Sequence, residues 1–219
     1  MLNVEYRVTA QFNRHLHLHS ALTPTSDAVP PGSLGEFARL WGVMRHHGAP
    51  TRVLDWSYSP YVALYFAIRE RFGANGEIWW FSINSLNDRR RDRYGGETSA
   101  NDLIDPGSKK DRLFAFDIPV LPGRAAAQQG MLTFCENIEA DHAKVLKWYF
   151  DGHPDRRWFG RLVIPAALKR EFLLRLRMMN IDGRLLFPDM DGLGMAAVDL
   201  IRSDPTSREH GLQYRGSVD

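Results

Sequence analysis

The chain has 219 residues, 44% of them apolar and 25% charged, with 28 lysines and arginines against 26 aspartates and glutamates. Those proportions belong to an ordinary folded protein and exclude a collagen-like, coiled-coil or wholly disordered chain. A formal charge of +2 argues against a strongly basic nucleic-acid-coating protein, and a single cysteine, Cys135, excludes an internal disulfide and a multi-cysteine zinc site.

Val4, Val8, Phe12 and Leu16 recur every fourth residue, so a helix is expected over 4–19. Residues 22–32 (LTPTSDAVPPG) have the composition of a loop. Ser33, with Glu36 three residues on, forms a capping box for a helix to about Arg45, placing Phe37, Leu40, Trp41 and Met44 on one face. A turn at 48–50 leads to a short strand at 51–56. Ser59-Pro60 then opens a helix whose first nine residues carry no charge, so it is expected to be the most buried one. The uncharged stretch 57–68 is too short to cross a bilayer, which takes about 20 residues. The N-terminal stretch has charges from Glu5 onward and no apolar signal core, so no membrane contact and a cytoplasmic location are expected.

A strand is expected at 77–83. Residues 85–112 hold seven basic and six acidic residues with Gly-Gly and Pro-Gly turns, which predicts an exposed insertion. Strands at 113–120 and 131–135, a helix near 140–150, a strand at 161–164, a helix at 165–179 and a last helix after Asp191 complete the pattern. Residues 203–219 are polar and are expected to form a mobile tail. The fold class is therefore α+β: one domain over 1–202, with a short mixed or antiparallel sheet wrapped by helices.

The densest group of polar residues lies at 44–67, MRHHGAPTRVLDWSYSPYVALYFA. On an extended 51–56, Arg52, Leu54 and Trp56 point one way and Thr51, Val53 and Asp55 the other. A strand that runs into a helix N-terminus can receive an anion among free backbone N–H groups, with Ser57 and Ser59 adding donors. The same residues also read as a buried Arg52–Asp55 ion pair, with His46 and His47 capping the preceding helix. Both readings stand at this level.

Weaker signals resolve to ordinary structure. His15, His17 and His19 would share one face of a strand, as metal ligands do, but on a helix only His15 and His19 do, so a solvated helix end is expected. Asp189, Asp191 and Gly194 echo a calcium loop, yet Leu193 and Leu200 stand where oxygens are required, and Asp191 is expected to cap the last helix. Asp88 and Asp92 dilute the cluster of Arg89, Arg90, Arg91 and Arg93, so nucleic acid is an improbable partner and a solvated loop is expected. Cys135 reads as a buried structural thiol. No metal site is expected.

HHGAPTRVLDWSYSPYVALYFA closely resembles the signature of the FRG domain family. AAAQQGMLTF (125–134) and LLFPDMDGLG (185–194) are similar to that family's later segments. No Phe/Tyr-Arg-Gly tripeptide, the motif for which the family is named, precedes Val4, and Tyr214-Arg215-Gly216 lies in the polar tail, so VEYRVTAQF reads as the helix that follows that strand. A second and weaker resemblance is to ADP-ribosyltransferase architecture, which implies NAD as the cofactor. It places His46, His47, Thr51, Arg52, Trp56 and Ser57 along the nicotinamide-ribose side, with Gln129 and Asp55 as the candidate catalytic groups. A glutamine can hold a ribose hydroxyl but cannot act as a base. These resemblances imply an ADP-ribosyltransferase or NAD glycohydrolase used as an effector in bacterial or phage conflict. The alternative is a non-catalytic domain that binds a nucleotide or a protein partner and has lost, or borrows, the first strand.

Overall fold

The computed structural model describes residues 2–16, 33–96, 105, 107–117, 123–153 and 155–204. The loop expected at 22–32, His17 and His19, and the expected tail beyond Asp204 lie outside the described residues. In chain order the elements are α1 (Leu2–Leu16), α2 (Leu34–His46), β1 (Leu54–Ser57), α3 (Pro60–Ile68), β2 (Gly76–Phe81), α4 (Ile83–Tyr94), β3 (Leu113–Asp117), α5 (Arg124–Ala127) and β4 (Gly130–Cys135). They continue with α6 (His142–Phe150), β5 (Phe159–Ile164), α7 (Lys169–Met178), α8 (Gly183–Leu186) and α9 (Met190–Ser203). Two small sheets, β1-β4-β3 and β2-β5, amid helices make the class α+β, as expected. The chain divides into two compact units: Met1–Tyr58, Trp80–Ala125 and Gly130–Gly160 form one, and Ser59–Trp79, Ala126–Gln129 and Arg161–Asp219 the other.

In the first unit β4 is central and antiparallel to both neighbours, with Leu54 opposite Thr133 and Leu113 opposite Cys135. Every residue from Met131 to Cys135 is buried, and alternation sends successive side chains to opposite faces. Leu132 and Phe134 join Trp41, Met44, Val53 and Phe114 on one side, with Val8 and Phe12 of α1 packed against them. Cys135 joins Leu86, Val145, Leu146 and Tyr149 in a second cluster. Ser33 caps α2 by accepting from the Glu36 N–H, and Asp141 caps α6 by accepting from the Ala143 and Lys144 N–H groups.

The exposed insertion expected at 85–112 is corrected over its first part. Ser82 caps α4 by accepting from the Ser85 N–H, and Leu86 is fully buried. Arg90, one turn on, is also buried, its guanidinium 4.9 Å from the centroid of the Phe114 ring. The run of arginines hides this face because an arginine stem and its flat cation can cover an aromatic ring as an apolar side chain does.

In the second unit Ser59 caps α3 by accepting from the Val62 N–H, with Pro60 at the first helical position. Val62, Tyr65 and Ile68 pack with Ile164, Leu173, Leu176, Leu186 and Phe187. The Tyr65 hydroxyl donates to Asp199 Oδ2 at 2.5 Å. α3 is not the most buried helix: Tyr61 and Phe66 are exposed, whereas α2 buries six of its residues. An uncharged sequence allowed burial all round, but only the 62–65–68 row is fully buried, with Leu64 and Ala67 partly buried against the same cluster. The last helix starts earlier than expected, capped by Asp189, which accepts from the Gly192 N–H. Asp191 lies in its first turn. Asp182 caps the short α8, which was not expected.

Candidate functional site

The residues of 51–54 run along a cleft of about 360 Å³ in the first unit. Thr51, Arg52, Val53 and Leu54 form one side, with Arg45 from the last turn of α2. Asn137, Ile138, Ala140, Asp141 and His142, from the β4–α6 connection and the start of α6, form the other.

Arg52 is wholly engaged. Its Nε donates to Glu5 Oε1 at 2.7 Å, its Nη2 to Glu5 Oε2, and its Nη1 to the Glu136 carbonyl at 2.6 Å. The rings of Trp41 and Phe134 lie 5.4 and 5.6 Å from the guanidinium carbon. The side chain is 4% exposed. The Arg52–Asp55 pair, one of the two readings the sequence leaves open, is therefore not formed. Asp55 instead accepts from Arg45 Nε at 2.6 Å, in a pair whose side chains are 39% and 54% exposed.

Behind the cleft a polar chain crosses the sheet. Trp56 Nε1 donates to Thr133 Oγ1 at 2.9 Å, and the same hydroxyl meets His142 Nδ1 at 2.8 Å. The imidazole also bonds the Arg52 backbone carbonyl. One proton arrangement satisfies all three groups: Nε2–H of a neutral His142 donates to the carbonyl, and the Thr133 hydroxyl donates to Nδ1. Burial lowers the His142 pKa below its ordinary 6.5, against the opposing pull of the Arg52 carbonyl and the Asp141 charge. The neutral form is the one this arrangement needs.

Of the residues singled out from sequence, the cleft brings together Thr51 and Arg52. His46 ends α2 and His47 is its C-cap; their rings meet edge to face at 4.9 Å. Neither lines the cleft, and neither do Asp55, Trp56 and Ser57. Ser57 ends β1 opposite Gly130. Gln129 belongs to the second unit, where it is exposed with φ +47°. His15 bonds its own helix, at the Gln11 carbonyl, and no group of three metal-ligating side chains occurs among the described residues. Burial pushes the Cys135 thiol up to about 12, so it is an inert core group.

Sequence reasoning missed Glu5, Thr133 and His142. A signal existed for Thr133, since a lone hydroxyl in the buried run MLTFC must find a partner. Glu5 gave none, because 47 residues separate it from Arg52.

The cleft offers an Arg45 cation at its rim, aliphatic walls, and the Thr51 hydroxyl, which is buried with no partner among the described residues. A polar ligand fits that set. His142, on the other side of the cleft, has both ring nitrogens engaged, and Asp55 pairs with Arg45.

Residues 1–75 match the FRG domain family model. The match spans α1 to α3 and the first of the three sequence motifs; 125–134 and 185–194 lie beyond it. No curated protein and no solved structure matches the chain. No helix among the described residues is long and apolar enough to cross a membrane.

Proposed function

We propose that the first unit is a non-catalytic binding domain whose cleft takes a nucleotide, of the class that NAD and ADP-ribose represent. The observation that carries this reading is the contrast inside the cleft. The Thr51 hydroxyl is buried without a partner among the described residues and Arg45 stands half-exposed at the rim, while the groups able to move a proton are committed to other partners. An unpaired buried hydroxyl costs about 1–3 kcal/mol, which a ligand hydroxyl or carbonyl placed against it would recover. Val53, Leu54, Ile138 and Ala140 suit the face of a sugar or base. Arg45, whose Nε is taken by Asp55, suits a phosphate that displaces that carboxylate, through the planar fork that makes paired, charge-assisted bonds. The volume of about 360 Å³ lies near the lower end of ligand pockets, which run from about 300 to 1,000 Å³, so the cleft holds one nucleoside-phosphate portion of NAD or ADP-ribose with the rest outside it.

The test is calorimetry with ADP-ribose and NAD, alongside an assay for released nicotinamide. Saturable binding without nicotinamide release is the expected result. Arg45→Ala is expected to weaken binding at least tenfold while leaving the unfolding midpoint nearly unchanged, because Arg45 is a surface group. No heat of binding in the wild type overturns the reading. Nicotinamide release that saturates with NAD would replace it with the transferase.

A further inference from the structure

Arg52 is organised as though for a ligand, and its partner Glu5 comes from the first turn of a helix, with its side chain 12% exposed. The guanidinium is fixed from three sides without Glu5: Trp41 and Phe134 flank it, and the Glu136 carbonyl takes Nη1. What remains is the Nε–Nη2 edge, the one that binds a carboxylate or a phosphate with two parallel bonds. Glu5 fills that edge. Yet α1, which carries Glu5, has no buried residue. It is tied down by Val8 and Phe12 against the core, by Phe12 and Leu16 against Val43 and Ala125, and by a 3.3 Å bond from Trp41 Nε1 to Thr9 Oγ1. Glu5 sits in its first turn, where a helix frays most easily.

We infer that the Nε–Nη2 edge of Arg52 is a phosphate-binding site, and that Glu5 occupies it as a carboxylate substitute belonging to the chain itself. A phosphate competes with Glu5 for the same two donors, and binding it frees the first turn of α1. This site uses Arg52 and Glu5, whereas the nucleotide reading rests on Arg45 and Thr51. The shared chemistry is a phosphate oxygen pair, whether from free phosphate or from a nucleotide, and inorganic pyrophosphate and ADP-ribose separate those sources.

The experiment follows thermal unfolding of the full chain in a phosphate-free buffer. Wild type, Glu5→Ala, Glu5→Gln and the double variant Glu5→Gln/Arg52→Met are each titrated with pyrophosphate, against sodium chloride of equal ionic strength. Either Glu5 variant is expected to melt below the wild type and to regain several degrees as pyrophosphate saturates the vacated edge, in the manner of any ligand that binds only the folded state. Glu5→Gln keeps the side-chain length and the helix, so it carries the test if Glu5→Ala fails to fold. The double variant is expected to show no shift beyond chloride, and the wild type a smaller rise than either Glu5 variant, because pyrophosphate must first displace Glu5; a wild type that does not respond overturns the proposal. A recovery that chloride reproduces, or that persists without Arg52, overturns the proposal and leaves Glu5–Arg52 as a structural ion pair. Loss of this effect with ADP-ribose calorimetry intact in the wild type defeats the Arg52 site alone; the reverse result defeats the nucleotide reading alone.

Discussion

At the scale of single residues, burial decides which of the charged and polar contacts matter. Arg45–Asp55 is short and well aimed, but both side chains are more than a third exposed, and exposed pairs contribute about 0–1 kcal/mol. Asp55→Asn should therefore shift the urea midpoint by less than about 1 kcal/mol in free energy. Thr133 has no charge, yet its fully buried hydroxyl serves both Trp56 and His142. Thr133→Val leaves an indole N–H and an imidazole nitrogen without their partner, and should cost about 1–3 kcal/mol. The reverse ranking in the same urea experiment would show that the polar chain behind the cleft is replaceable. The sequence put Thr51 and Arg52 on one segment, and both line the cleft. It could not say which carboxylate each arginine takes, since that depends on which side chains the fold brings together. Arg52 reaches back to Glu5 and Arg45 reaches forward to Asp55, and nothing in their local spacing distinguishes one choice from the other.

Among the elements, caps were the most legible feature because they are encoded within four residues. Ser33 and Ser59 sit where a hydroxyl must accept the first free N–H groups, and both do. Burial was less legible. A helix shows its apolar residues in sequence but not which of them meet a neighbour. α3 turns Phe66 outward, and α4 turns Leu86 inward beneath a row of arginines. Leu86→Ala and Ile68→Ala should each cost about 2–5 kcal/mol. Phe66→Ala should cost less than half as much, despite removing a larger side chain; equal losses at 66 and 68 would place α3 deeper than its exposure indicates. The two glycines of α9 make a sharper comparison. A Cβ on Gly192 would lie 1.7 Å from the Phe187 carbonyl oxygen, whereas one on Gly194 meets nothing within 4 Å. Gly192→Ala should consequently destabilise the fold strongly. Gly194→Ala should be neutral or gain up to about 1 kcal/mol from the better helix former. The DGLG motif was visible in the sequence, but its meaning, close passage of α9 over Phe187, was not.

For the whole molecule, each unit is assembled from three separated stretches of chain, so no local pattern could outline either one. Stability against pH is a property at this scale, because every group with a different proton affinity in the folded and unfolded chain contributes to one curve. Two groups set its shoulders. Burial holds the His142 pKa below its ordinary 6.5, so the folded chain resists a proton that the unfolded chain accepts. The stability contributed by neutral His142 is fully present above pH 6.5 and is lost as pH falls from there through the folded value. Burial moves the Cys135 thiol the other way, from 9.0 to about 12. Its contribution is fully present below pH 9 and is lost as pH rises from 9 through about 12. Tyr58, also raised to about 12 by burial and by its bond to Asp117, starts from 10, and the buried Tyr65 and Tyr149 are raised from the same starting value. The tyrosines therefore act after Cys135 on the alkaline side. The expected curve of unfolding free energy is flat between about pH 6.5 and 9 and falls on both sides. His142→Asn should lower the plateau, since it disturbs the Thr133 bond, but should also make the acid limb shallower than the wild type's. Burial holds the Lys169 ammonium below its ordinary 10.5, so it favours the fold as pH rises toward 10.5. Cys135→Ala should make the stretch between pH 9 and 10 less steep than the wild type's while leaving the steeper fall above 10, where the tyrosines ionise. Urea midpoints from pH 5 to 11 on the three proteins check both limbs. An acid limb with the same slope in His142→Asn and wild type would mean that His142 is not neutral in the fold, and the proton arrangement that ties Trp56, Thr133 and the Arg52 carbonyl together would have to be abandoned.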